Sequence, residues 1–178
     1  AEMKEAGAVA VTDDGSWVVD TGVARRVYEY ASTYGLPILS HAEDPTLSLN
    51  GVMNEGIVSA KLGLRGRPNA AEDVATARDI ELVRLIKCHL HFQHVSTRRS
   101  VEMIRCAKAE GLPVTAEATP HHLALADEEF VKYDTFYKMN PPLRTEADRQ
   151  ALLKGLEDGT LDVIATVHAP HALEEKDL

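Results

Sequence analysis

Apolar residues along this chain follow two rhythms: short runs bounded by turn residues, and longer stretches that return every three or four positions. The first run, Ala8-Val-Ala-Val-Thr12, is apolar throughout, as a strand buried on both faces would be, and it empties into Asp13-Asp14-Gly15. Val23, Val27, Tyr30, Ala31 and Tyr34 then recur at helical spacing and predict an inward face on a helix from about Thr21 to Tyr34, stopped by Gly35 with Pro37 beyond. Pro37-Ile-Leu-Ser40 reads as a short strand delivering His41, Glu43 and Asp44. A polar, glycine-containing excursion covers Asn50 to Pro68, and a second helix fits Ala70 to about Lys87 with Val74, Ala77, Ile80 and Leu85 inward. The strand Cys88 to His94 follows, then a helix carrying Val101, Ile104 and Ala107, with Ser96 or Thr97 as its cap. Val114 to Ala118 is the next strand, ending in Thr119-Pro-His-His122. A short helix near Asp127 to Tyr133 precedes Asn140-Pro-Pro-Leu-Arg144. Thr145 and Asp148 resemble a capping box for a helix reaching about Leu156. The last run, Leu161 to Ala165, reads as a miniature buried strand and opens into Thr166-Val-His-Ala-Pro-His171.

The helix-stop, strand-start device repeats. Tyr34-Gly-Leu-Pro-Ile38 and Glu110-Gly-Leu-Pro-Val114 lie 76 positions apart with two helix-to-strand units between them, a period of about 38 residues. That is the size of a βα unit, and repeated units of this kind mean a parallel sheet with helices outside it. Five strands are predicted, each ending in a polar cluster. A closed (β/α)8 barrel needs about 250 residues. The fold class expected is therefore α/β, a partial TIM barrel of roughly strands 4 to 8, spanning residues 1–178. An unclosed barrel leaves strand edges unpaired, so the segment alone is expected to aggregate or to need partners.

Composition narrows the function. At 44% apolar content a chain of 178 residues can bury a core. No apolar run approaches the ~20 residues that span a bilayer, and the first residues lack a signal-peptide layout, so the cytoplasm is the default location. Nineteen Lys and Arg against 28 Asp and Glu give a net charge of −9, which repels a phosphate backbone. Cys88 and Cys106 read as core residues rather than a disulfide or thiolate site. Eight histidines are the compositional hint, because imidazole and carboxylate are the usual ligands of a hydrolytic metal.

Singly, each strand-end residue has a plain structural reading. Together, an acidic pair, His41, His94, Asn140 and His171 fall at the C-terminal ends of successive strands, where a barrel gathers them at one rim. Two imidazoles and a carboxylate there suit a divalent metal, which brings bound water to a pKa near ~7 and polarises a carbonyl. That implies hydrolysis of an amide-like bond. His89 and His91 precede His94 on the same strand and read as structural. Glu43 and Asp44 read as orienting His41 or capping a turn, and Asp13 has the plain reading of a turn acid. His121 and His122 stay open between starting a helix and supporting the site from behind. The Arg25-Arg26 and Arg98-Arg99 pairs read as solvated helix faces.

Thr12-Asp-Asp-Gly15, His41-Ala-Glu-Asp44, Gly51-Val-Met-Asn-Glu-Gly56, His91-Phe-Gln-His-Val-Ser-Thr97, Asn140-Pro-Pro-Leu-Arg144 and Ala165-Thr-Val-His-Ala-Pro-His171 together resemble the motifs of dihydroorotases of the bacterial long-chain type, within the cyclic amidohydrolases. The resemblance covers essentially the whole chain. It implies a metal-dependent barrel, usually with zinc as one or two divalent ions, that interconverts dihydroorotate and N-carbamoyl-aspartate in pyrimidine synthesis. Asp14, 27 positions before His41 as in the family, would be the bridging carboxylate, His41 and His94 would ligate a metal, and Asn140 and His171 would bind substrate. The implied partners are a small-molecule substrate and either further copies of the chain or an aspartate transcarbamoylase, with no nucleic acid and no membrane.

Two departures stand out. The family's first-strand His-x-His and Arg, its first three strands and its flanking sandwich domain are absent from this stretch, so the expected extent is the C-terminal part of the barrel. Val167 occupies the position of the family's catalytic aspartate, and loss of a general acid or base typically costs ~10²–10⁴ in rate. The expected function is a dihydroorotase impaired as written. The alternative is an inactive homologue kept as a structural partner of a transcarbamoylase; a hydantoinase or allantoinase is disfavoured, since a hydantoinase needs a lysine near the end of the first strand here.

Overall fold

Turn and cap residues set where the elements begin and end. In the computed structural model, which describes residues 1–130, 133–172 and 174, the chain runs α1 (Glu2–Glu5), β1 (Val11–Thr12), α2 (Thr21–Thr33), β2 (Ile38–Ser40), α3 (Pro45–Ser48), β3 (Met53–Asn54), α4 (Ile57–Leu62), β4 (Gly66–Arg67), α5 (Asn69–Ile86), β5 (Leu90–Phe92), α6 (Arg98–Ala109), β6 (Val114–Ala118), α7 (Pro120–Ala124), α8 (Glu146–Glu157) and β7 (Val163–Ile164). Asp20 caps α2 by accepting from the Val23 N–H at 2.7 Å, Thr97 caps α6 through the Ser100 N–H, and Thr145 exchanges bonds with Asp148 at the start of α8. Each such cap is worth about 1 kcal/mol. Gly35 and Gly111 end α2 and α6 at φ +60° and +76°, the left-handed geometry that makes the Gly-Leu-Pro device work.

Strands pair in chain order, β1-β2-β5-β6-β7, all parallel, with Val11 beside Ile38, Ile38 beside Leu90, Leu90 beside Val114 and Ala118 beside Ile164. The core forms where α2, α5, α6 and α8 cover this sheet, around the fully buried Val83, Leu90, Phe92, Val101, Ile104 and Leu152. This is the open, partial α/β barrel predicted from the repeat. The polar excursion is not featureless: β3 and β4 form a second, two-stranded sheet that carries Asn54 and Arg67 towards the strand ends. Its close approach requires Gly66, where a Cβ would lie 2.3 Å from the Glu55 Cα. Among the described residues no helix is long and apolar enough to cross a membrane.

Several expected burials are corrected. On α2 the predicted Ala31 is buried, but together with Ala24 and Tyr28; Val23, Val27 and Tyr30 are exposed along a groove of about 470 Å³ shared with Val11 and Tyr34. Ala24 and Ala31 let the helix approach the sheet on either side of the buried Tyr28, which leaves Val23, Val27 and Tyr30 outside. On α5, Val74 and Leu85 are likewise exposed while Ile80 is buried. The outer strand runs are the least enclosed: Val9, ahead of β1, is 81% exposed, and Val163 and Ile164 are 46% and 54% exposed rather than buried. Each outer strand has a neighbour on one side only, so the apolar run that reads as core has nothing among the described residues to pack against on its other flank. Cys88 is buried as expected, but Cys106 lies on the exposed side of α6. The short helix expected near Asp127 is a 3-10 turn, Asp127–Glu129, and the rest of that stretch includes residues 131 and 132, outside the described residues.

Candidate active site

Three neighbouring strand ends supply three converging side chains. After β1, Thr12 Oγ accepts the Asp14 N–H at 3.0 Å, while Asp13 accepts from the His41 N–H at 2.8 Å and the Val18 N–H at 3.2 Å. Asp13 is thus the turn acid, tying the end of β1 to the end of β2, and Asp14 is aimed at the imidazoles. Its Oδ1 lies 3.3 Å from His41 Nδ1 and 3.6 Å from His94 Nε2, and those two nitrogens are 2.8 Å apart. Both histidines are buried; Asp14 is half-exposed. The three donor atoms all lie within 4.8 Å of one another, which among the described residues is the group of that composition able to hold a metal ion.

The donor chemistry fits a divalent cation. His94, followed by His41, holds the Asp14 carboxyl below the usual carboxylate range, so it is ionised. Glu43 Oε2 sits 3.2 Å from His41 Nε2, and a carboxylate there makes that nitrogen the N–H donor, leaving Nδ1 with its lone pair turned to the cluster. Burial alone would raise the Glu43 carboxyl, but hydrogen bonds from His41 and Ser48 and the Arg67 guanidinium bring it down to about 2. Asp44 caps α3 through the Thr46 N–H at 2.8 Å. Zinc accepts this nitrogen and oxygen set with room for further ligands.

Asn140 and His171 line one small cavity of about 200 Å³ with Gly51, Arg67 and Lys138. Asn140 Nδ2 is 3.4 Å from His41 Nε2, and its Oδ1 accepts from Arg67 Nη1, which also reaches Glu43 at 3.0 Å. Arg67 therefore links the carboxylate behind His41 to the predicted substrate residue. Val167 lies in the loop after β7, 43% exposed, with φ +46°, a backbone region that β-branched residues rarely enter.

The segment Asn140-Pro-Pro is held from behind. His122, on α7, accepts from the Thr119 hydroxyl at 2.7 Å and donates through Nε2 to the Pro141 carbonyl at 3.0 Å and the Pro142 carbonyl at 3.2 Å. Of the two roles left open by the sequence, His122 takes the supporting one. Burial, followed by the neighbouring His121, pushes its pKa down to about 3. Below its ordinary pKa near 6.5 the unfolded chain protonates this ring while the fold resists, so its contribution is complete above pH 6.5 and is lost as pH falls towards 3, at up to about 1.4 kcal/mol per pH unit. Urea melts of the protein and of His122→Asn between pH 7 and 4 are expected to show a shallower pH slope for the variant; equal slopes would contradict the burial of a neutral ring.

Sequence reasoning missed four residues. Arg144 is fully enclosed, donating to Ser96 Oγ at 3.0 Å, to Asn54 Oδ1 at 3.1 Å and to the Arg67 carbonyl at 2.9 Å, with Glu72 at 3.9 Å. Glu72 in turn accepts the Ser96 and Thr97 N–H groups and the Ser96 hydroxyl. Arg67 and Glu117 were the others. A carboxylate between Ala71 and Ala75 on the inward side of a helix was the available signal for Glu72. Of the two upstream histidines, His91 turns to Thr115 and Glu117 and His89 to Thr115, away from the cluster.

Comparison with known proteins points to one family. Residues 1–100 match the family model described as dihydro-orotase-like. The chain is 54% identical over 177 residues to a dihydroorotase of Carboxydothermus hydrogenoformans, covering 99% of this chain and 41% of that protein. It is 53% identical to a dihydroorotase of Desulfotalea psychrophila, covering 100% of this chain and 42% of that one. Among solved structures, an L-hydantoinase from Arthrobacter aurescens superimposes with a TM-score of 0.82 at 26% identity, covering 99% of this chain and 41% of the other. The chain thus spans about two fifths of the length of the relatives it matches.

Proposed function

This chain belongs to the dihydroorotase-like family, and from that premise we propose that its protein carries out the reversible hydrolysis of the cyclic amide of dihydroorotate to N-carbamoyl-aspartate, at a rate lowered by Val167. The observation that carries the reading is the convergence of Asp14, His41 and His94 from three adjacent strand ends. These three would hold the divalent ion, expected to be zinc, which when bound acidifies water and polarises a carbonyl. Glu43 fixes the His41 tautomer so that Nδ1 would be free to hold the ion. Asn140, whose Oδ1 is engaged by Arg67, and His171 line one cavity and would bind the ring substrate there. A valine at 167 can neither accept nor return the proton that amide cleavage must move. The substrate is a small molecule; assembly as a homo-oligomer or with a transcarbamoylase is the accompanying expectation.

Zinc affinity tests the reading. The complete protein is expected to bind zinc in competition with a chromophoric chelator, and His94→Ala to weaken binding by more than the ~10–100-fold typical of losing a supporting hydrogen bond. A wild-type protein that binds no zinc would sink the hydrolase reading. Val167 itself favours a second reading, an inactive relative retained as a structural partner; restoring a carboxylate at that position separates the two.

A further inference from the structure

His94 is the strained member of the cluster. Its φ of +34° lies in the left-handed region, which costs a residue other than glycine of the order of 1–3 kcal/mol and persists only where surroundings over-determine it. The surroundings come from β6. Glu117 Oε1 accepts the His94 N–H at 3.2 Å, and the Glu117 carbonyl accepts the following Val95 N–H at 2.9 Å. The second carboxylate oxygen, Oε2, is 3.0 Å from His91 Nε2, which must be the donor, and His91 Nδ1 then accepts from the Thr115 hydroxyl at 2.9 Å. Both oxygens of Glu117 are thus engaged, and both side chains are partly buried. Glu117 contributes no atom to the three-donor group.

We propose that Glu117, oriented by His91, is a positioning residue that holds the backbone of His94 in the conformation that aims its Nε2 at Asp14 and His41. The proposal rests on reading those three residues as a metal centre. It gives His91 and Thr115 a purpose in the site without making either a ligand. Glutamine keeps an oxygen for the His94 N–H; alanine does not.

The test compares zinc affinity, by chelator competition, and the ligand-field absorption spectrum of the cobalt-substituted complete protein. Glu117→Ala is expected to weaken zinc about 10–100-fold and to shift the cobalt bands. Glu117→Gln, retaining the acceptor, is expected to stay within the roughly 2- to 10-fold that one hydrogen bond is worth, with bands close to wild type. A spectral shift reports ligand geometry, which a role confined to stability would leave unchanged. Wild-type zinc binding with unaltered affinity and spectrum in Glu117→Ala would overturn the positioning role, as would equal losses in the alanine and glutamine variants. If the alanine variant does not fold, His91→Leu decides: an intermediate loss with shifted bands supports the proposal, and an unchanged spectrum overturns it. Absence of zinc from the wild type is a separate result that removes the metal centre itself.

Discussion

Val167→Asp is expected to raise turnover of dihydroorotate by the complete protein by about 10²–10⁴-fold, the usual worth of a positioned general acid or base. The backbone is already suited to the change. At φ +46° a β-branched valine is strained, whereas aspartate and asparagine enter this region several-fold more readily. Aspartate there should therefore leave stability unchanged or improve it by up to about 1 kcal/mol, relieving strain of the kind stored at functional sites. Val167→Asn is the control: it has the same backbone tolerance and almost the same shape but cannot transfer a proton at neutral pH. Steady-state kcat should separate the pair while their melting curves coincide. If both variants turn over no faster than wild type, the defect lies elsewhere and the structural-partner reading gains.

Arg144→Met carries the largest expected cost in stability, about 3–5 kcal/mol, because it strands the buried carboxylate of Glu72. The loss is not confined to that pair. Arg144 also satisfies Asn54, Ser96 and the Arg67 carbonyl, so its removal unfastens the β3–β4 sheet from the start of α6. For a chain of this size each kcal/mol lowers the melting temperature by roughly 2–4 °C. Adding Glu72→Gln to Arg144→Met should recover part of the loss, since an amide is far cheaper to bury without a partner than a charge. Denaturant midpoints of the two single variants and the double variant give the coupling; strict additivity would mean that the two side chains do not depend on each other.

Periodicity and turn chemistry made the order of elements legible. Gly35, Gly111, Thr97 and Thr145 act locally, through φ angles and N–H groups within a few residues, so their effect can be read without knowing the fold. The same is true of the strand-end residues, whose convergence follows from the parallel pairing that a βα repeat imposes. The inward face of α2 was not legible, because Val23 and Val27 present the same helical spacing as Ala24 and Tyr28, and only the closeness of the helix to the sheet decides between them. Val163 and Ile164 misled for a related reason: an apolar run states a preference for burial and does not say that a neighbour is present. Glu72, Glu117 and Arg144 were illegible because each is defined by partners 23 or more positions away, and a buried charge looks like a surface one until those partners are placed.

Asp14, His41 and His94 occupy consecutive strand ends, on β1, β2 and β5, although 80 residues of chain separate the first from the last. An ion shared by the three would act as a clasp across β1, β2 and β5, and its binding energy would count directly towards cohesion. At a free concentration a hundred times its dissociation constant, such a ligand adds about 2.7 kcal/mol to the folded state. Since β1 is only two residues long, it gains cohesion from that tie. Loss of such an ion would undo the three-residue cluster and loosen β1 against β2 in the same event.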